Sequence, residues 1–444
     1  MKSSSNVISD DGALNAENLP TTAEDSKATN RYYVLFMLAL VCALAYMDRF
    51  VLSVLIEPIK HDLSLSDTQL GLLTGFAFAF FYAVFGIPIA RLADKYNRPL
   101  IISVSVALWS AMTAACGMSV NFIQLLLARI GVGVGEAGCI PASHAMLGDL
   151  FPGKQKAFAI GIFQAGGTVG ILAGLILGGL LANSVGWQMT FIFMGLPGLI
   201  VGLVVWLTVK DNRGLDSVSN PLTNADNDKL NLIATIKHLL TQRTYRNLML
   251  GLSMGAFGNY GIVQWLPSFL IRTHHMSLEE VGVLYGSVMG FGTLFGTLAG
   301  AFLAPKIIAK DQRWEVKWAA CCFVIVIPIF IGSFLVANST LALGLLFLGV
   351  FTLSTGTGPS FAAVQTVAGP KMKAMAVALT MLCMAILGQG FGPLVVGMVS
   401  DALVPQFGEQ SLRYSLSISM IILAWGAIHL FKASSTIVKD SQSL

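Results

Sequence analysis

The chain has 444 residues, of which 55% are hydrophobic and only 11% charged, with a formal net charge of +4. A soluble domain carries roughly 25% charged residues, so this chain cannot cover a water-facing surface and requires an apolar solvent. The small net charge gives no reason to expect nucleic acid as a partner. Cys42, Cys116, Cys139, Cys321, Cys322 and Cys383 all lie in apolar runs without CxxC or Cys/His spacing. A disulfide framework or zinc site is not expected, and buried thiols are.

Residues 1–30 are polar and lack the basic start, apolar middle and cleavage site of a secretory signal. They read as a disordered cytoplasmic tail. A bilayer core needs about 20 apolar residues per helix. Twelve runs meet this: roughly 32–60, 69–90, 99–118, 122–148, 157–184, 188–209, 246–272, 281–305, 316–336, 340–367, 374–400 and 412–432. Between the sixth and seventh lies a long polar stretch, 210–245, with Asp211, Asn212, Arg213, Gly214, Asn220 and Pro221. It reads as a cytoplasmic linker. Within it Leu230, Ile233, Ile236 and Leu240 fall at helical spacing. Such a face suits either the membrane surface or the underside of the two halves. The expected fold is an all-α membrane protein with twelve transmembrane helices in two pseudo-symmetric six-helix bundles, 31–209 and 246–433, and a second tail at 434–444.

Positive charge sets orientation. The even-numbered connections hold Arg91, Lys95, Arg98, Lys154, Lys156, Lys210, Arg213, Lys229, Lys237, Arg243, Arg246, Lys306, Lys310, Arg313, Lys317, Lys371 and Lys373. The opposite loops hold little beyond Lys60, Arg272 and Arg413. This predicts both termini in the cytoplasm. Compact loops and the lack of a signal point to a multi-pass monomer of a bacterial inner membrane.

Ionisable residues at mid-membrane depth are costly and functional by default. The first run carries Asp48 and Arg49, and the fourth carries Arg129 and Glu136, with His144 further on. The later runs carry amides instead: Asn259, Gln264, Gln365 and Gln389. At 1.5 Å per residue, Asp48 and Arg49 lie roughly 24 Å, and Glu136 roughly 21 Å, from the ends where their helices enter. Arg129 and Glu136 are seven residues apart and share a face. One cavity between these helices could hold all four charges. Burial disfavours an ionised Glu136 and a neighbouring arginine favours it. Moving one partner switches the balance, as a proton-coupled carrier requires. The alternative is a fixed ion pair that only locks helices together.

Gly133-Val-Gly135-Glu-Ala-Gly138 matches the dinucleotide-binding glycine pattern, but that pattern needs a preceding strand, and here it lies inside an apolar run. No HExxH, GxSxG or P-loop pattern is found. His274 and His275, beside Glu279 and Glu280, read as a solvated loop. No enzyme activity, cofactor or metal is expected.

The connection Ala90-Arg-Leu-Ala-Asp94-Lys-Tyr-Asn-Arg98-Pro resembles the hallmark loop of the major facilitator superfamily, with Ala90 and Asn97 where the pattern prefers glycine. The resemblance implies that Asp94 and Arg98 latch the two halves on the cytoplasmic side and act in conformational gating. Arg129-Ile-Gly-Val-Gly133-Val-Gly135 is similar to the superfamily's proton-transfer motif, with Val132 in place of a polar residue. Tyr46-Met-Asp-Arg-Phe50, Gly131 to Ala137, Asp149-Leu-Phe151, Gln264-Trp-Leu-Pro267, Gly392-Pro and Val399-Ser-Asp401-Ala resemble the Spinster-like branch. That branch implies a proton-coupled carrier of lysolipids or sphingolipids, with Asp48, Arg49 and Glu136 as the coupling site.

These readings predict a secondary active transporter working by alternating access. Asp48, Glu136 and Arg129 are expected to handle protons. Arg49 and Glu136, with Gln264, Trp265, Phe361 and Gln365 of the second half, are expected to bind a small anionic or amphiphilic solute. Its partners are that solute, protons and membrane lipid. Carriers of sugar acids or aromatic carboxylates, and a non-transporting sensor, are the alternatives.

Overall fold

The computed structural model describes residues 22–153, 155–211 and 234–442, and these are helical with no strand. The linker positions Leu230 and Ile233 and most of the first tail lie outside the described residues. The first half contains α1 (Thr22–Leu63), α2 (Asp67–Gly71), α3 (Ala77–Lys95), α4 (Arg98–Gly117), α5 (Phe122–Glu136), α6 (Cys139–Leu150) and α7 (Gln155–Thr208). The second half contains α8 (Arg243–His274), α9 (Leu278–Ile308), α10 (Trp314–Leu335), α11 (Ser339–Thr355), α12 (Thr357–Cys383), α13 (Phe391–Phe407) and α14 (Ser411–Gln442). A π turn at Leu72–Phe76 joins α2 to α3, and another at Met384–Gly390 joins α12 to α13.

Polar residues at the starts of the helices explain where they begin. Ser66 and Gln69 form a capping box on α2, and Ser277 and Glu280 form one on α9. Asn97, Asn121 and Asn338 each accept a backbone N–H of the first turn of α4, α5 and α11. Large apolar side chains such as Phe36, Ile200, Trp206, Phe302 and Ile421 remain exposed on the outer surface. In lipid such a surface is satisfied.

Nine stretches among the described residues are long and apolar enough to cross a membrane, against twelve expected. The difference has physical sources. Phe158–Thr208 spans 51 residues but breaks at Gly186, whose φ of 81° and ψ of 168° are strained for other residues. Just past the break, Trp187 and Gln188 donate to the Asp62 carboxylate and tie this turn to the end of α1. Met375–Val438 spans 64 residues and contains Gly408, with φ of 55°. The long helix α8 falls outside the nine because it carries Asn247, Ser253, Asn259, Gln264 and Ser268.

Two of the expected boundaries shift. α1 begins at Thr22, inside the segment read as a tail. α14 continues to Gln442, because Ala433 and Ile437 pack in a cluster with Tyr245, Leu248 and Ala376. Leu239, from the end of the linker, is fully buried in that same cluster.

The two ends of the bundle differ. At the near end, Arg31 meets Gln155, Tyr33 meets Thr208, and Arg98 meets Asp149, all within the first half. At the far end the halves are pressed together. A Cβ placed on Gly282 would lie 2.7 Å from the Leu175 carbonyl oxygen and 3.0 Å from the Gly179 Cα, so α7 and α9 touch backbone to backbone. The cross-half ion pairs lie at this far end too. Arg272 of the second half pairs with Glu57 and Asp67 of the first.

Candidate functional site

Between the halves lies a cavity of about 330 Å³. The first half contributes Tyr46, Arg49, Phe50 and Ile171. The second half contributes most of the wall. Its apolar part includes Leu252, Val263, Met289, Phe323, Leu353 and Met384. Its polar part includes Asn259, Tyr260, Thr357, Ser360 and Gln389. Arg49 is the sole charged residue of this lining.

Arg49 is held from behind. Its Nε donates to Glu136 Oε2 at 2.6 Å, and the two side chains are only 12% and 1% exposed. Its guanidinium carbon lies 5.2 Å, 4.7 Å and 4.9 Å from the ring centres of Tyr46, Phe78 and Tyr82. Cation–π attraction in this box is worth about 0.5–2 kcal/mol per good contact. Arg49 Nη2 and Glu136 Oε1 make no hydrogen bond within the protein. Glu136 is buried behind the arginine and does not line the cavity. Close packing holds α5 here: a Cβ on Gly133 would meet the Phe78 carbonyl oxygen at 2.7 Å, and one on Gly135 the Trp109 nitrogen at 2.7 Å.

The other two charges are buried as well. Asp48 is 2% exposed and accepts the Thr113 hydroxyl at 3.1 Å. Arg129 is 1% exposed, lies 5.7 Å over the Phe78 ring, and its Nε and Nη1 make no hydrogen bond within the protein. Asp48 and Arg129 therefore flank the Arg49–Glu136 pair without joining it directly.

In the second half, Gln264 and Phe361 reach the cavity. Gln264 also donates to the Thr74 carbonyl across the halves at 3.4 Å. Trp265 does not reach it. Its ring is fully buried, with Nε1 donating to the Pro393 carbonyl at 2.9 Å. Gln365, one turn beyond Phe361, is exposed and outside the lining.

A Major Facilitator Superfamily model matches residues 38–393. The chain belongs to the Major Facilitator Superfamily. It is 34% identical over 405 residues to an "MFS-type efflux pump" of Mycolicibacterium smegmatis, covering 91% of this chain and 92% of that one. It is 25% identical to a "Probable L-galactonate transporter" of Escherichia coli, over 89% of this chain and 87% of that one. Among solved structures it resembles a bacterial homolog of the human lysosomal transporter Spinster. That protein is seen inward-facing, both unoccupied and occupied, with a TM-score of 0.82, 31% identity, and coverage of 93% of this chain and 98% of that one. The chain is thus a membrane transporter of the Spinster-like branch, and not an enzyme.

The superfamily's hallmark loop takes a particular form here. The side chain of Asp94 lies outside the described residues. The Arg98 guanidinium pairs with Asp149, and its backbone N–H donates to Asp211 at 3.1 Å. Asp149 belongs to the first half and Asp211 to the start of the linker. In this structure the arginine expected to latch the two halves fastens α4 to the end of α6. With the halves pressed together at the far end, its carboxylate partner comes from its own half.

Proposed function

We propose that the chain is a proton-coupled carrier of an anionic, single-tailed amphiphile. The observation that carries this reading is the position of Arg49. It stands between Glu136 behind it and the cavity in front of it, with Nη2 free of protein partners. A solute carboxylate or phosphate in the cavity competes with Glu136 for one guanidinium. As the solute takes the arginine, Glu136 is left buried without its counter-ion, and a proton neutralises it. Solute and proton then bind together. Asp48 and Arg129, buried on either side, hold the field around this exchange.

The apolar wall of the second half receives the tail, lined by Leu252, Met289, Phe323 and Met384. The far end is closed and forms the outer side, so the cavity is reached from the cytoplasm. Alternating access follows when the two halves rock about the site. The membrane is a bacterial inner membrane with both termini inside.

Proteoliposomes under an imposed pH gradient test this directly. Labelled single-chain lipid acids and lysophospholipids are expected to move, and Glu136→Gln to abolish the pH dependence. Full pH-dependent uptake by that variant contradicts the assignment. A second reading, a sugar-acid carrier, is favoured by Asn259, Thr293, Ser354, Thr357 and Gln389 on the wall, which suit hydroxyl groups. A series of tail lengths separates the two. Each buried methylene adds about 0.8 kcal/mol, or roughly fourfold in affinity, for an amphiphile and nothing for a sugar acid.

A further inference from the structure

The outer surface of the second half carries a polar seam that the transport site does not use. It lies where the near-end tip of α8 meets α14. His429 Nδ1 of α14 and Asn247 Oδ1 of α8 are 2.8 Å apart, and Asn247 Nδ2 donates to the Arg243 carbonyl at 3.0 Å. With its amide nitrogen committed to that carbonyl, Asn247 offers His429 an acceptor, so the proton of the neutral ring sits on Nδ1. The other ring nitrogen, Nε2, is left as an acceptor and makes no hydrogen bond among the described residues.

The seam faces lipid. On α14, Ile418, Ile421, Trp425, Ile428 and Lys432 recur at three- and four-residue steps and are all exposed. His429 stands at the edge of this stripe, with the Trp425 ring centre 6.1 Å from its own. None of these residues lines the cavity. Depth decides what meets them. The 32 residues of α8 extend roughly 48 Å, against a hydrocarbon core of about 30 Å. That leaves roughly 9 Å of helix at each end, and Asn247 lies about 6 Å from the start. The His429–Asn247 pair is therefore at the boundary between acyl chains and headgroups, the level that an exposed tryptophan favours.

Three cations surround the pair. Arg243, Arg246 and Lys432 are exposed, and among the described residues none has a carboxylate within ion-pair distance. Of the near-end carboxylates of this half, Asp311 meets Lys317 and Glu315 bonds Thr366. Asp440 lies about 12 Å past Lys432 along α14. An interhelical bond explains the His429–Asn247 contact alone. An excess of basic residues on one side explains the cations alone. Neither accounts for a free ring acceptor between uncompensated cations on a lipid-facing stripe.

We propose that this seam binds an anionic phospholipid of the cytoplasmic leaflet whose headgroup carries hydroxyls. Its phosphate lies between Arg243 and Lys432, a headgroup hydroxyl donates to His429 Nε2, and its chains run along Trp425, Ile421 and Ile418. The choice of leaflet rests on the orientation with both termini inside. Lipid binding itself does not depend on what the cavity carries.

The test uses purified full-length protein in neutral detergent micelles, followed by thermal unfolding. It is titrated with phosphatidylglycerol, with phosphatidylcholine and phosphatidylmethanol of the same chains, and with inorganic phosphate. Phosphatidylglycerol is expected to raise the melting temperature saturably, and phosphatidylcholine and inorganic phosphate to leave it unchanged. A basic residue beside an anionic lipid is worth about fivefold in affinity, so Arg243→Gln with Lys432→Gln is expected to weaken the response at least about tenfold. Lys306→Gln with Lys310→Gln, exposed near-end cations away from the seam, is expected to leave it intact. Phosphatidylmethanol, anionic but without a headgroup hydroxyl, is expected to bind several-fold more weakly than phosphatidylglycerol, and His429→Phe to erase that difference. If His429→Phe does not fold, the two lysine and arginine pairs, all exposed, still decide. Equal weakening by the two double variants, or an equal response to phosphatidylcholine or inorganic phosphate, overturns the site. Equal binding of the two anionic lipids by wild type overturns the hydroxyl contact with His429.

Discussion

Replacing Arg49 and Glu136 singly and together measures what their pairing is worth. Glu136 is 1% exposed and Arg49 12%, with 2.6 Å between Nε and Oε2. Removing Glu136 strands a buried guanidinium, and removing Arg49 strands a buried carboxyl that must take up a proton; each destabilises by about 3–5 kcal/mol. Arg49→Ala is expected at the upper end of that range, because it also empties the ring box of Tyr46, Phe78 and Tyr82. The double variant removes both charges and leaves no stranded ion. Its loss is therefore expected to fall short of the sum of the two by about 1–3 kcal/mol. Equilibrium unfolding in mixed micelles supplies the four values. Additivity within about 0.5 kcal/mol would refute the pairing.

Other consequences are as direct. If solute and proton bind together, linkage requires that affinity for an anionic solute rise as pH falls, by up to about tenfold per pH unit; an affinity flat between pH 5 and 8 contradicts this. Trp265→Phe should leave solute affinity unchanged, because the ring lies outside the cavity, yet lose about 1–2 kcal/mol of stability with the bond to Pro393. A weaker affinity with stability intact would place Trp265 at the solute instead. Gly282→Ala should force α7 and α9 apart and destabilise the protein by about 1–3 kcal/mol, read from thermal unfolding. An unchanged melting point would mean that the contact yields freely.

The sequence revealed some parts of this site for identifiable reasons. Asp48, Arg49, Arg129 and Glu136 stood out because each is an ionisable residue in an apolar run; Asp48, Arg129 and Glu136 are buried in the first half, and Arg49 lines the cavity. Gln264, Asn259 and Gln389, amides at depth, also reach the cavity. Trp265 and Gln365 show where that approach loses resolution. Successive residues of an α-helix point in different directions, so one residue's step from Gln264 to Trp265 turns a cavity wall into packing. Phe323 and Met384 were not singled out, because a cavity-lining apolar side chain and a lipid-facing one look alike in sequence. The far-end cluster escaped for the opposite reason. Lys60, which pairs with Asp67, and Arg272 lie near helix ends, where charges are ordinary and serve to assign topology, and Asp401, which accepts the Asp67 amide, reads only as part of a family motif. The signal that could have found it is the capping box at Ser66 beside Asp67, read together with Ser400-Asp401 in the second half.

The central claim is that Arg49 passes from Glu136 to the solute while Glu136 gains a proton. Calorimetric titration of an anionic amphiphile into purified protein, repeated in buffers of different ionisation enthalpy, counts that proton. Uptake of about one proton per solute in wild type, and of none in Glu136→Gln, is the expected result by linkage. Equal proton uptake by the two proteins, or none in wild type, would contradict the account.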